Sequence, residues 1–272
     1  MLQLRPGLVC DRRRRADPDR LARPRLRIIT LGRTSVESAT MSIDGDWLDK
    51  RTGQLLRYLV VRRGRAVSAD EVGEHLWRGA DYSVTRTVRT CVHRLRRELE
   101  PDRGNHEAPA LLVSRGGSYG LNMDLVEVDA DEFERQLTTG LDVANVNPGH
   151  AAQVVEQGLG LYKGEFLADV PFAEWAMSER ARLHELACHA LRSLAELYRQ
   201  QRLGDAARRS LDRLAVLQPL DEGLCRELIE LEILQGRGTA ANRRYERLRR
   251  MMTEAFGHGP QFTLAELARP QA

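Results

Sequence analysis

The sequence predicts an α+β front joined to an all-α back. Three observations carry this. Up to about residue 48, β-branched and polar side chains alternate; helical periods and a pair of apolar runs around two glycines follow as far as residue 123; and from Val128 onward the apolar residues recur at helical spacing. At 272 residues the chain has room for two domains of ordinary size. With 42% hydrophobic and 30% charged residues it is expected to fold and stay in solution. No apolar run approaches the roughly 20 residues that would span a bilayer.

Residues 1–25 lack hydrophobic periodicity, hold three prolines and read as a disordered basic extension. Their arginines precede no apolar stretch, so they do not form a secretory signal. Two readings of the Arg12–Arg15 run stay open: an extension of a polyanion contact, or residues translated from upstream of the natural start. In LRIITLGRTSVESATMSIDGDWL the alternation is broken by Asp44-Gly45, a turn signal between short antiparallel strands. TGQLLRYLVVRRG then sets Leu55, Leu56, Leu59 and Val60 at helical spacing, with Gly64 as the stop. SADEVGEHLW opens on Ser68 with Glu71 three residues on, a capping box, and buries Val72, Leu76 and Trp77. A third helix spans about Thr85 to Leu99. After the polar loop EPDRGNHEAP, the runs ALLVS and YGLNM flank Gly116-Gly117 as a hairpin.

In the back half, DADEFERQL and AAQVVEQGLGLY each read as a helix, and a longer helix covers about Phe172 to Gln201. Gly204-Asp205-Ala206-Ala207 and Gly238-Thr239-Ala240-Ala241 lie 34 residues apart, with Pro219 ending a helix between them. Small residues at that period let paired helices approach closely, as in tetratricopeptide stacks. The expected organisation is thus a basic extension (1–25), a winged helix-turn-helix domain (26–123) and a tetratricopeptide-like helical domain (124–272).

Charge divides the same way. Residues 26–123 carry 16 basic and 12 acidic side chains, whereas 124–272 carry 18 basic and 24 acidic. A basic front on an acidic back points to a polyanion met by the front alone. The third helix concentrates this charge. Val88, Val92, Leu95 and Leu99 share one narrow face with Cys91 at its edge, and Arg86, Arg89, Thr90, His93, Arg94, Arg96 and Arg97 fan over the other. Between Val84 and Leu99 the only acid is Glu98. A solvated surface helix usually interleaves acids to offset repulsion among its arginines. Arginine forks bond bidentately to guanine edges in the major groove and also neutralise phosphates, and Thr90 and His93 sit where base edges would lie. A capped helix, a short polar loop (Arg78 to Ser83), a basic helix and a Gly-rich hairpin together form the layout of a winged helix, with Arg115, Gly117, Ser118 and Tyr119 at or beside the wing tip.

The segments LRIITLG, VSADEVGEHLW, TVRTCVHRLRREL and SRGGSYGL resemble the winged helix of OmpR/PhoB-type response regulators. VDADEFERQL, GLYKGEFLADV, FAEWAMSERARLHEL, LQPLDEGLCRELIELEILQGR and AANRRYERLRRMM are similar to the bacterial transcriptional activator domain. In that order the pair resembles the Streptomyces antibiotic regulatory protein family over about residues 26–267. The resemblance implies a transcription activator of the cytoplasm and nucleoid that binds direct repeats of double-stranded DNA as at least a dimer, recruits RNA polymerase subunits and controls a biosynthetic gene cluster. It places Arg86, Arg89, Thr90, His93, Arg94, Arg96 and Arg97 on the recognition helix and Arg115 to Tyr119 on the wing. Here the wing reads Arg-Gly-Gly-Ser-Tyr where the family usually has R-G-x-G-Y, and the loop between Trp77 and Thr85 lacks the usual proline pair. No receiver domain precedes the winged helix, and no G-x-x-x-x-G-K-[ST] occurs, so control by phosphorylation or ATP within this chain is not expected.

Several patterns imitate other chemistry. Gly116-Gly117-Ser118-Tyr119-Gly120 contains G-x-S-x-G, the nucleophile elbow of serine hydrolases, but an elbow needs strand, turn and helix, and here a strand follows. His184-Glu185-Leu186-Ala187-Cys188-His189 imitates a zinc helix with too few ligands on one face. Cys10, Cys91, Cys188 and Cys225 form no C-x-x-C pair and read as reduced thiols. Trp175, Tyr198 and Tyr245 read as packing residues between helices. No catalytic residue, cofactor or metal is therefore expected. The alternative reading is a protein-interaction or signal-binding adaptor dominated by its helical repeats.

Overall fold

A computed structural model describes residues 26–38, 41–79, 83–101 and 111–267. The basic extension, part of the Arg78–Ser83 loop and most of the 100–109 loop lie outside these.

The front opens with strands β1 (Leu26–Ile29), β2 (Ser35–Glu37) and β3 (Ser42–Ile43). They pair antiparallel as expected, Ile28 opposite Val36 and Val36 opposite Ile43. Asp44-Gly45 does not make their turn. Gly45, at φ +60°, instead precedes the short helix α1 (Asp46–Asp49), and the chain reverses between Ser38 and Met41, whose backbone atoms bond at 2.8 Å. Helix α2 (Arg51–Arg62) ends through two left-handed residues, Arg63 and Gly64. After β4 (Val67–Ser68), helix α3 (Ala69–Leu76) is capped by Ser68, whose hydroxyl accepts from the Glu71 amide at 3.1 Å. The reciprocal half of the expected box is replaced: the Glu71 carboxylate accepts from Tyr58 and Arg65.

Helix α4 (Val84–Leu99) follows, capped by Ser83. Its start lies so close to α3 that a Cβ on Gly73 would meet Val84 Cγ1 at 2.3 Å. Any side chain there would push the two helices of the helix-turn-helix apart. Strands β5 (Leu112–Arg115) and β6 (Ser118–Leu121) form the hairpin and, with β4, a sheet in the order β4-β6-β5.

Strand β7 (Val126–Val128) then pairs parallel with β1, completing a sheet in the order β3-β2-β1-β7. Sheet and core therefore run across the expected junction at residue 123. The back is helical: α5 (Asp129–Asp142), α6 (Pro148–Leu161), α7 (Glu174–Gln200), α8 (Gly204–Leu217), α9 (Glu222–Leu234), α10 (Gly238–Phe256) and the short α11 (Leu264–Leu267). The two 34-residue repeats open α8 and α10 at Gly204 and Gly238.

One hydrophobic core extends from Leu26 to Leu228, and a second, smaller one joins α9, α10 and Phe262. Polar clasps reinforce the junction of front and back. Asp129, at the start of α5, accepts from the Thr30 amide (2.7 Å), the Thr30 hydroxyl (2.6 Å) and the Leu31 amide (3.0 Å). Burial pushes this carboxyl above its ordinary value despite those bonds. Arg57 on α2, 1% exposed, donates to Thr34 Oγ1 (3.2 Å), the Leu48 carbonyl (2.6 Å) and the Asp169 carboxylate. Arg63 reaches Asp131 and Glu179 on the back, and Trp175 of α7 meets the Tyr58 ring edge-on.

Candidate nucleic-acid interface

The recognition surface is built from α4 and the hairpin. On α4, Val88, Cys91, Val92, Leu95 and Leu99 are buried, which anchors one face to the core. This leaves Arg86, Arg89, Thr90, His93, Arg94 and Arg97 exposed on the other. The Thr90 hydroxyl donates to the Arg86 carbonyl at 3.0 Å, so toward a ligand it presents a methyl group and acceptor lone pairs. Ordinary helix periodicity made this division legible from the residues.

The wing turns at Gly116 and Gly117, with φ of +58° and +81°. Two consecutive left-handed residues between the paired Arg115 and Ser118 make the tight hairpin turn that matches strand twist, and glycine adopts it without steric cost. Nothing lies within 4 Å of where a Cβ would stand on either glycine, so the tip is bare backbone with Arg115 exposed beside it. Ser118 is half-buried on β6 and is followed by strand rather than helix, which is the geometry of a hairpin and not of a nucleophile elbow.

An open groove of about 360 Å³ separates helix from wing, lined by Arg89, His93, Arg96, Arg115, Gly117 and Tyr119 among others. Two candidate residues sit differently from the rest. Tyr119 is only 8% exposed and pairs with Val67 and Ser114, so it supports the groove from below rather than projecting from it. Arg96 is half-buried, and its fork donates to the Leu112 carbonyl (3.2 and 3.1 Å) and Ser114 Oγ (2.7 Å).

The charge on α4 and the wing is uncompensated. Among the described residues, Arg86, Arg89, Arg94, Arg97 and Arg115 have no carboxylate within ion-pair distance, whereas other arginines of both halves are paired, Arg57, Arg62 and Arg63 in the front and Arg135, Arg182, Arg208 and Arg244 in the back among them. Unpaired guanidiniums on one face repel one another, and a polyanion relieves that repulsion.

The imitations resolve into packing. His184 Nε2 lies 3.6 Å from Cys188 Sγ and Tyr162 Oη 3.5 Å from His184 Nδ1, while His189 is exposed on another face. Burial pushes the Tyr162 hydroxyl up to about 12. Tyr198 bonds Glu156, and Tyr245 donates to the Phe262 carbonyl at 3.2 Å. Cys91, Cys188 and Cys225 are buried free thiols. Among the described residues no helix is long and apolar enough to cross a membrane. Sequence reasoning missed β7, Asp129 and the Arg57–Asp169 pair, whose partners lie about a hundred residues apart along the chain.

Comparison with known proteins agrees with this architecture. Residues 128–270 match the bacterial transcriptional activator domain, and residues 47–121 match the C-terminal domain of transcriptional regulatory proteins. The regulatory protein AfsR of Streptomyces coelicolor is 31% identical over 82% of this chain and 22% of its own length. The transcriptional regulator RedD of the same organism is 27% identical over 76% of this chain and 59% of its own. The chain thus spans about a fifth of the length of AfsR. A solved structure of Mycobacterium tuberculosis EmbR, in complex with a low-affinity phosphopeptide, superposes with a TM-score of 0.67 at 22% identity, over 90% of this chain and 64% of that one; it shows the shared fold. With a regulator-type winged helix in front and a bacterial transcriptional activator domain behind it, the chain belongs to the Streptomyces antibiotic regulatory protein family of transcriptional regulators.

Proposed function

We propose that this regulator binds double-stranded DNA with α4 in the major groove and the wing on the flanking backbone, and that it activates transcription. The observation that carries the reading is the cluster of exposed arginines on α4 and the wing that lack carboxylate partners among the described residues, with Arg89 and Arg115 lining the groove between helix and wing. In this reading Arg86, Arg89, His93 and Arg94 address bases and nearby phosphates, Arg97 addresses phosphate, and Arg115 reaches the minor groove or its rim. Two copies occupy a direct repeat side by side, RNA polymerase subunits are contacted from the same face of the promoter, and the regulated genes form a biosynthetic cluster.

Footprinting the purified protein on DNA flanking its own gene tests this. Protection of two equally spaced half-sites in the same orientation, lost in Arg89→Ala, is the expected result. Uniform cleavage at every protein concentration would favour the adaptor reading.

A further inference from the structure

Resting on that DNA-binding reading, we infer that Arg96 is a positioning residue: it fixes the wing against the recognition helix rather than neutralising a phosphate itself. By sequence Arg96 belongs to the basic fan of α4. Its atoms are otherwise engaged, and its partners are what distinguish it.

Strand β5 is the outer strand of the β4-β6-β5 sheet. In a hairpin closed by a two-residue turn, Arg115 and Ser118 form the hydrogen-bonded pair next to the turn. The alternation of an antiparallel ladder then turns the backbone of Ser114 and Leu112 away from β6. Among the described residues the Leu112 carbonyl is therefore an edge acceptor with no strand to meet it, and the Arg96 fork supplies the donors at 3.2 and 3.1 Å. The same guanidinium reaches Ser114 Oγ at 2.7 Å. A second tether lies one turn on, where Glu100 Oε1 accepts from the Leu111 amide at 2.8 Å.

Strand β5 is thus fastened to the C-terminal turns of α4 on its free edge and to β6 on the other. The tip that carries Arg115 extends only three residues beyond Leu112, so the angle set at Leu112 determines where Arg115 stands across the groove from Arg89 and His93. Planarity matters here. A guanidinium fork engages a carbonyl and a hydroxyl together, whereas an ammonium is a single point charge. Lysine at this position would keep the charge and lose the fastening.

The test is a double-mutant cycle in DNA affinity. Wild type, Arg96→Lys, Arg115→Ala and the double variant are titrated against a fluorescent mixed-sequence duplex over a salt series, with thermal melts of each protein. If Arg96 positions the wing, Arg96→Lys weakens binding about tenfold, its log–log salt slope falls by no more than that of Arg115→Ala, and Arg115→Ala then has little further effect. Ser114→Ala, which removes only the hydroxyl partner, moves affinity in the same direction with a smaller amplitude and guards against misfolding of the Arg96 variant. Arg96→Lys binding like wild type overturns the inference, especially if Arg96→Gln loses about 0.9 from the slope, the signature of one phosphate contact. Additive effects of Arg96→Lys and Arg115→Ala overturn it as well. Wild type that fails to bind the duplex at low salt overturns the DNA-binding reading itself, and this inference with it.

Discussion

Removing the Asp169 carboxylate probes how firmly the helical half holds the winged helix. In Asp169→Ala the Arg57 guanidinium stays 1% exposed but loses its charge partner; the nearest remaining carboxylate is Asp49, 3.7 Å away and 71% exposed. Stranding one member of a buried ion pair costs about 3–5 kcal/mol. The low end applies here, because Thr34 Oγ1 and the Leu48 carbonyl still accept from Arg57. For a chain of this size about 3 kcal/mol lowers the melting temperature by roughly 6–12 °C. The Thr34 hydroxyl also loses its acceptor at 2.8 Å, which adds to the loss. Circular dichroism melts of wild type, Asp169→Ala, Arg57→Met and the double variant measure it. The double variant, which buries no lone charge, should recover much of the loss. A drop under about 1 kcal/mol for Asp169→Ala, or a double variant as unstable as the two singles combined, would show that the pair does not hold the halves together.

Other outcomes follow from the same geometry. Gly117→Val places a β-branched residue at φ +81° and should cost roughly 1–2 kcal/mol of strain, or shift the wing, read as weaker DNA binding with α4 intact. Ser68→Ala removes the acceptor for the Glu71 amide and should lower stability by about 1 kcal/mol in chemical denaturation. Acid should loosen the junction. Burial works to raise the Asp169 and Glu179 carboxyls, but hydrogen bonds from Thr34 and Arg57, and from Arg182 and Arg63, outweigh it and hold both below their ordinary values of 3.8 and 4.5. A carboxyl depressed in the folded state stabilises above its ordinary value and loses that contribution as pH falls through the depressed one. Trp175 fluorescence, reporting from beside Tyr58, should therefore change as pH drops below about 4, and less so in Asp169→Ala.

How much of this was legible in the residues depends on range. The two faces of α4, the stop at Gly64 and the Gly116-Gly117 turn are local matters of period and backbone freedom, and sequence conveys them directly. Asp44-Gly45 shows the limit of a local signal: a positive φ was needed there, but to approach α1 instead of closing a hairpin. The Ser68 box formed only half, because Tyr58 and Arg65 compete for Glu71. Nothing local marks Arg57 as buried, since on a helical wheel an arginine beside apolar residues looks like a solvated edge. Its burial depends on Asp169, and the strand register of β7 on Leu26. Such pairs become visible only when the chain is folded. Arg96 is the subtlest case, a member of the basic fan by spacing and of the wing by its hydrogen bonds.

The most direct test of the DNA-binding account is equilibrium binding of the full chain to the footprinted DNA at increasing salt, for wild type and for the variant carrying both Arg86→Ala and Arg89→Ala. The account predicts affinity that falls steeply with salt, with about −0.9 in slope for each phosphate neutralised. It also predicts a loss of about 1–3 kcal/mol for each of the two arginines that reads a base. A flat salt response, together with unchanged binding by the double variant, would contradict it.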